Sequence, residues 1–178
     1  MSGRFIITAK IVTLLLVVIF SGCQPEAVSF SKIPEIELRS VTQVKDVDGK
    51  DSVITLELKY QDGDGDIGLT EADTAAPFNF GSPFYHNLPV TYMVENSNGE
   101  YEELLKPGTD IPYGNQHERI PNLTPPGKYK AIEGVLEIDL LANPENTRPK
   151  RLKLEISMID RSLNISNTLT TPLIELKH

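Results

Sequence analysis

The residues whose spacing points most directly to chemistry lie in YQDGDGDIGL, residues 60–69, where Asp62, Asp64 and Asp66 occupy alternate positions. Alternate side chains of a curling loop can turn toward one centre, and Ca²⁺ takes about six to eight oxygen ligands. The intervening glycines allow the backbone to curl. Asp-Gly steps also form ordinary turns whose acids point into water. The run therefore predicts either a calcium site or a solvated turn.

The aspartate run does not fit an EF-hand calcium loop. With Asp62 at the first ligand position, Asp73 falls at the twelfth, but Ile67 occupies the sixth, where the sharp turn needs glycine. With Tyr60 at the first position, the first ligand is missing. A strand-like apolar run precedes the loop, where an EF-hand has a helix. We therefore expect an aspartate loop carried by a sheet.

A fourth acid is expected to join this loop from the segment IDRSLNISN near the end of the chain. If the aspartate run follows the second strand of a sandwich and this segment follows the sixth, both emerge at the same end. Asp160, with groups around Asn164, would then complete the site. Alternatively, both residues only stabilise a hairpin through local hydrogen bonds. The predicted metal ligands are Asp62, Asp64, Asp66 and Asp160.

Alternating apolar and polar residues indicate the elements that must position these acids. The segment SVITLELKY, residues 52–60, puts its apolar side chains on one face, and RLKLEISMI, residues 151–159, does the same. A period of two with one polar face is typical of an antiparallel sheet. Seven segments have this character: 34–42, 52–60, 89–96, 99–105, 133–141, 151–159 and 166–176.

These segments predict an all-β domain over residues 35–178. Thirteen prolines and twelve glycines, mostly between the segments, favour turns, and no segment is a convincing amphipathic helix. Seven short strands in one domain indicate an immunoglobulin-like antiparallel β-sandwich, and a barrel of similar strand number remains open. The tryptophan and cysteine pair of antibody domains are absent.

The N-terminal residues predict export. Arg4 and Lys10 precede the apolar run IVTLLLVVIF, which ends at Ser21, Gly22 and Cys23. As a helix this run would rise only about 15 Å, half of a bilayer core. The small residues before the cysteine resemble the bacterial lipoprotein signal, in which the cysteine is lipidated after cleavage. An ordinary cleaved signal or a buried free thiol is the alternative.

The lipoprotein resemblance divides the chain into three parts. It implies a signal peptide over residues 1–22, a lipidated tether over residues 23–34 that begins at Cys23, and the sandwich domain. Removal of Arg4 and Lys10 with the signal lowers the 17 basic residues to 15 against 25 acidic ones, a net charge of −10. This charge argues against nucleic acid and against electrostatic attachment to anionic lipid. Lipid at Cys23 would then hold the domain at the membrane.

Two predicted connections, residues 61–88 and 106–129, are longer than a minimal sandwich needs. The first follows the aspartate run with an aromatic set. This set either closes one end of the core or offers a platform for a ligand such as a glycan. Its members are Phe78, Phe80, Phe84, Tyr85 and the adjacent His86.

Two tripeptides, Asp51-Ser52-Val53 and Asp73-Thr74-Ala75, resemble a bacterial O-glycosylation pattern. They make Ser52 and Thr74 candidates for modification. Such short patterns also arise by chance, and both residues are equally compatible with ordinary turns.

Longer motifs resemble those of a group of Bacteroidetes-type lipoproteins of uncharacterised activity. The resemblance depends on the cysteine signal, YQDGDGDIGL, RIPNLTPPGKYKAIEGVLEIDL and MIDRSLNISNTLTTPLIEL, and spans most of the predicted mature chain. Leu163 stands where glycine is common in the last motif. The resemblance implies an exported lipoprotein with an immunoglobulin-like fold and implies no activity.

No catalytic constellation stands out in the sequence. The three histidines have no ligand-like spacing, and Glu102 and Glu103 on one strand would point to opposite faces. We therefore expect a non-catalytic binding or structural module of the cell envelope, anchored in the outer membrane, with calcium as a stabilising ion. Its expected partners are the membrane, through Cys23, and a protein or glycan. The alternative is a carbohydrate-active or other hydrolase that uses acids in the long loops.

Overall fold

The computed structural model describes residues 29–114, 117–124 and 131–178. The predicted signal peptide, the lipidation residue Cys23 and residues 24–28 of the predicted tether lie outside these ranges, so they stay predictions. The strands are β1 (Glu35–Lys45), β2 (Asp51–Asp62), β3 (Val90–Glu95), β4 (Tyr101–Glu103), β5 (Ile132–Leu141), β6 (Arg151–Ile156), β7 (Leu169–Thr170) and β8 (Ile174–Glu175).

The strands form two antiparallel sheets that pack face to face, which confirms the predicted β-sandwich. One sheet has the order β1-β2-β5, and the other has the order β4-β3-β6-β7, with β8 also paired to β6. In chain order these pairings match the A-B-E and C-F-G strands of the immunoglobulin frame, with β4 added beyond β3. The described strands do not close into a barrel.

The core lies between the two sheets and follows the alternation seen in the sequence. Ile54, Leu56 and Leu58 of β2 are completely buried. They face a matching row from β6, whose Leu152, Leu154 and Ile156 are equally buried. Burial of a large aliphatic side chain stabilises a fold by about 1.5 to 3 kcal/mol, so these two rows fix the register of both sheets.

Tyr92 of β3 occupies the strand on which antibody domains carry their buried tryptophan. Its side chain is completely buried, and its ring packs edge-on against Tyr113 with the centroids 5.7 Å apart. The hydroxyl donates a hydrogen bond of 2.9 Å to the carbonyl of Leu141, in the opposite sheet. Tyr92 therefore joins the two sheets in a chain that lacks tryptophan.

The predicted seventh strand, residues 166–176, is wrong as a continuous element, because the structure divides it into β7 and β8. Pro172 lies between them and has no N–H to donate to a ladder. Thr171 bridges the gap: its N–H donates to the carbonyl of Leu154, and its hydroxyl oxygen accepts the N–H of Leu154, both at 2.9 Å. The Thr171 hydroxyl thus takes the place of the backbone carbonyl that would accept the Leu154 N–H in an uninterrupted strand pair.

Helical structure in the described ranges is limited to one short 3₁₀ turn, Pro144–Asn146, in agreement with the sequence. None of the helices in these ranges has the length and apolar character that crossing a membrane requires. The long connections between β2 and β3 and between β4 and β5 meet the turn after β6 at one end of the sandwich.

Candidate metal site

The four predicted acids lie together at this end of the sandwich. Asp62 ends β2, Asp64 and Asp66 follow it, and Asp160 follows β6, so the group spans both sheets. Each residue offers one carboxylate oxygen, and these four oxygens all lie within 4.8 Å of one another. Asp62 and Asp160 are buried, whereas Asp64 and Asp66 are half-buried. Such a group can hold a metal ion.

Asp62 shapes the aspartate loop as well as belonging to the group. It is the last residue of β2 and is completely buried. Its Oδ2 accepts hydrogen bonds from the N–H groups of Gly65, at 2.6 Å, and Asp66, at 3.1 Å. These bonds close a tight turn and leave Oδ1 buried without a hydrogen bond from the described residues.

Apolar residues and backbone bonds hold the loop on two sides. Ile67 is completely buried and pairs with Asp160 in an isolated antiparallel bridge. The N–H of Arg161 donates to the carbonyl of Asp66 at 3.1 Å. On the other side, the N–H of Leu69 donates to the carbonyl of Ile120 at 3.0 Å. The spacing of the aspartates is therefore fixed by packing.

Two glycines permit the close approach of neighbouring chain. Gly68 has φ +93°, and a side chain there would collide with the carbonyl of Pro121. A side chain at Gly63 would collide with the carbonyls of Phe30 and Ser31. The N–H of Gly63 donates to the Ser31 carbonyl at 2.7 Å. The described end of the predicted tether, residues 29–34, thus runs across the aspartate loop.

Asn164 orients Asp160. The Asn164 N–H donates to Oδ1 of Asp160, and the Asn164 amide nitrogen donates to Oδ2, both at 2.7 Å. The local hydrogen bonding expected for a hairpin is therefore present, and it coexists with membership of Asp160 in the acidic group.

Three carboxylate oxygens in the group accept no hydrogen bond from the described residues, although all three are buried. They are Oδ1 of Asp62, Oδ1 of Asp64 and Oδ1 of Asp66. The second oxygens are occupied: Ser162 donates to Oδ2 of Asp66 at 2.7 Å, and the Lys32 ammonium lies 3.8 Å from Oδ2 of Asp64. Buried charged oxygens without partners are rare, because their desolvation is uncompensated.

Burial and mutual repulsion act on the protonation of the group. Burial raises the pKa of Asp62 to about 6, although its two N–H donors oppose the shift, and the charges of Asp64 and Asp66 raise it further. Burial also raises the pKa of Asp160, against the hydrogen bonds from Asn164. Two full charges this close repel by about 3 to 4 kcal/mol at an effective dielectric constant of about 20. A bound cation would remove that cost.

The aromatic set lies further along the same connection between β2 and β3 and is not buried. Phe80 is 84% exposed, and Phe78, Phe84, Tyr85 and His86 are half-buried. The ring of Tyr85 packs edge-on against Phe80, with centroids 5.2 Å apart. The set therefore does not seal one end of the core. Because the Phe80 ring is exposed, the alternative role as a platform for a ligand stays a prediction.

The sequence reasoning missed the residues that organise this connection. Arg119 donates to the carbonyls of Asp73 and Tyr85, and Arg161 pairs with the Asp73 carboxylate. These contacts join residues 34, 46 and 88 positions apart, so no local sequence pattern predicts them. Asp73, the twelfth position of the rejected EF-hand register, is engaged by Arg161 and lies outside the acidic group.

The histidine pair supports the backbone. The rings of His86 and His117 lie 5.9 Å apart, and Nδ1 of His117 accepts the N–H of Val90 at 2.9 Å. Burial lowers the pKa of both residues, which favours neutral imidazoles near pH 7.

The two glycosylation candidates differ in their surroundings. Ser52 lies in β2 and donates to the carbonyl of Val44 at 3.0 Å, beside the buried Asp51. Thr74 is exposed in the connection after β2. Glycosylation of either residue stays a prediction.

Fold and site together define an antiparallel β-sandwich with a group of four aspartates at one rim that can hold a metal ion. No family model matches the chain, and no curated protein matches it. Among solved structures, the X-ray structure of Northeast Structural Genomics Consortium target SoR45 aligns with a TM-score of 0.29 and 8% sequence identity, over 82% of this chain and 87% of that chain. A likeness at this level does not bear on function.

Proposed function

We propose that the protein is a lipid-anchored, exported module of the cell envelope whose β-sandwich binds calcium at Asp62, Asp64, Asp66 and Asp160. Its role is non-catalytic, in binding or structure. The observation that carries the calcium proposal is the set of three buried, unpartnered oxygens on Asp62, Asp64 and Asp66. Two of them belong to half-buried residues, but Asp62 is completely enclosed, where an ionised carboxylate needs a compensating charge.

The donor set and its dimensions favour calcium over other cations. All four donors are carboxylate oxygens, which suit hard cations, whereas zinc and copper sites use histidine or cysteine. Calcium–oxygen distances of about 2.3 to 2.6 Å put opposite ligands about 4.6 to 5.2 Å apart. The span of up to 4.8 Å matches this sphere. Magnesium, at about 2.0 to 2.1 Å, needs a tighter octahedron and keeps more waters.

A cation at this position would join the two sheets. Asp62 ends β2 of the first sheet, and Asp160 follows β6 of the second. A shared ion therefore acts as a cross-link at one end of the sandwich, in a chain whose single cysteine allows no internal disulfide. We expect its main effect to be stabilisation of the folded state.

The anchoring part of the proposal derives from the sequence and from the course of the tether. Residues 29–34 cross the aspartate loop, with Ser31 bonded to Gly63 and Lys32 beside Asp64. The nine residue-to-residue steps from Cys23 to Lys32 span at most about 30 Å. Lipid at Cys23 would thus keep the calcium-binding rim near the membrane.

Thermal unfolding with calcium and with chelator tests the metal proposal. We expect calcium at a hundredfold excess over Kd to stabilise the protein by about 2.7 kcal/mol, which raises Tm by roughly 5 to 10 °C for a domain of this size. The double variant Asp62→Asn, Asp64→Asn should lose this difference. The matched control Asp48→Asn, Asp110→Asn changes two exposed acids and should keep it. Equal melting temperatures of the wild type with and without calcium would reject the proposal.

A glycan ligand is the second candidate, favoured by the 84% exposure of Phe80. Aromatic rings at a surface offer sugars an apolar face to stack on. A glycan array probed with the wild type and with Phe80→Ala tests it: binding lost in the variant supports a glycan platform, and no binding by the wild type rejects it. The hydrolase alternative would need turnover of a bound glycan.

A further inference from the structure

Arg161 links the metal-site residues to a second segment of the chain. It directly follows Asp160, and its N–H donates to the carbonyl of Asp66 at 3.1 Å. Its guanidinium binds Asp73 through both nitrogens, with Nη1 to Oδ2 at 2.6 Å and Nη2 to Oδ1 at 2.8 Å. A two-pronged pair of this kind fixes orientation as well as distance. Arg161 therefore ties the position of Asp73 to that of the acidic group.

Asp73 connects Arg161 to Arg119 through its carboxylate and its backbone carbonyl. Besides the contact with Arg161, the Asp73 carboxylate accepts the N–H and the hydroxyl of Thr70, at 2.6 and 2.7 Å. Its side chain is only 15% exposed. The backbone carbonyl of Asp73 accepts a hydrogen bond of 2.9 Å from Nη2 of Arg119. The position of Asp73 is thus set from one side by Arg161 and helps to set Arg119 on the other.

Arg119 in turn holds the aromatic connection. Its Nη1 donates to the carbonyl of Tyr85 at 2.6 Å and to that of Phe78 at 3.4 Å, and its guanidinium lies 4.8 Å from the centroid of the Tyr85 ring. Tyr85 supports the exposed ring of Phe80. Between Phe78 and Tyr85 the segment's own backbone bonds are short turns, such as Ser82 N–H to the carbonyl of Asn79 at 3.0 Å. Its order therefore depends on Arg119.

We propose that cation binding at the four-aspartate site controls the order of the aromatic loop, residues 70–88, through Arg161, Asp73 and Arg119. The proposal rests on the calcium site proposed above and adds its regulation. Without the ion, the four carboxylates repel and the turns after β2 and β6 separate more easily. Arg161 belongs to the turn after β6 and is hydrogen-bonded to the turn after β2, so its contact with Asp73 weakens when the two turns separate. With the ion, both turns are fixed, and the loop presents Phe80 in one arrangement.

Hydrogen exchange followed by mass spectrometry, combined with calorimetric titration of calcium, tests this coupling. We expect calcium to slow exchange in the peptide covering residues 74–86 by at least about fivefold, the lower bound for a typical allosteric coupling. Peptides from the buried centre of β2 should change less. In Asp73→Asn the loop effect should disappear while calcium still binds. Glu71→Gln, an exposed neighbour in the same loop, should behave as the wild type.

The outcomes separate the two proposals. If calorimetry detects no calcium binding, the proposed metal site fails and this inference fails with it. If calcium binds but exchange in residues 74–86 is unchanged, only the coupling is overturned. Full calcium-dependent protection in Asp73→Asn likewise overturns the route through Asp73. Arg161→Lys keeps the charge without the two-pronged contact and serves as the second variant, in which a reduced loop effect is expected and an undiminished one contradicts the proposal.

Discussion

Asp62 differs from its three partner acids because it has two tasks. One oxygen closes the turn by accepting the N–H groups of Gly65 and Asp66, and the other is buried and accepts no hydrogen bond from the described residues. The alternate spacing of the three loop acids could be recognised from the sequence alone, because residue spacing and glycine content are local properties of the chain. The burial of Asp62 could not be predicted in this way, since it depends on the packing of segments distant in the sequence.

The raised pKa of Asp62 predicts an unusual pH dependence of the calcium-free protein. The folded pKa of about 6 exceeds the unfolded value of 3.8, so the folded state binds this proton more tightly. Ionised Asp62 therefore costs stability at pH 7, and that cost disappears as the pH falls through about 6 toward 4. Chelated wild type should gain stability in urea unfolding between pH 7 and 5.

Asp62→Asn supplies the control for this pH dependence, because it removes the titrating group and should flatten the gain. Calcium-loaded protein should show the opposite trend, since protons compete with the metal for the same oxygens. Chelated wild type that loses stability steadily from pH 7 to 5, in parallel with Asp62→Asn, would contradict the assignment.

At the level of the elements, the strands follow from the sequence, whereas their interruptions do not. Alternation over residues 52–60 and 151–159 predicted β2 and β6 because burial of one face imposes a period of two. The division of the last strand needed knowledge of its partner: the hydroxyl of Thr171 replaces a carbonyl opposite Leu154. That substitution depends on three-dimensional register, which a single sequence does not display.

The turn after β6 offers a test of backbone conformation. Leu163 has φ +67°, a left-handed conformation that costs a residue with a side chain about 1 to 2 kcal/mol. Its side chain is 37% exposed, so its replacement removes little packing. Leu163→Gly should therefore raise the free energy of unfolding by about 0.5 to 1 kcal/mol, after the greater chain entropy of glycine is counted. Denaturant unfolding of the variant measures it, and a loss of stability would contradict the conformation.

At the scale of the whole molecule, the acidic group and Tyr92 are among the features that connect the sheets. The acidic group spans them at one rim, and Tyr92 spans them in the core. The sequence predicted the sandwich and the four acids, but it gave no sign that Tyr92 would bond to the facing sheet. It also gave no sign of the path from Arg161 to Arg119, because those contacts join segments that only tertiary packing brings together.

Tyr92 should contribute strongly to stability through its ring and modestly through its hydroxyl. Tyr92→Phe removes the bond to the Leu141 carbonyl and should cost about 1 kcal/mol. Tyr92→Ala also removes the buried ring and should cost about 3 to 5 kcal/mol. Urea unfolding of both variants separates the contribution of the hydroxyl from that of the ring. Equal losses of unfolding free energy in the two variants would show that the ring contributes nothing beyond the hydrogen bond.

A crystal structure of the protein grown with calcium at about 10 mM, above the range of extracellular sites, tests the calcium site directly. We expect one ion at about 2.3 to 2.6 Å from Oδ1 of Asp62, Oδ1 of Asp64, Oδ1 of Asp66 and one oxygen of Asp160. Aspartate side chains turned toward solvent, with no ion between them at that concentration, would contradict it.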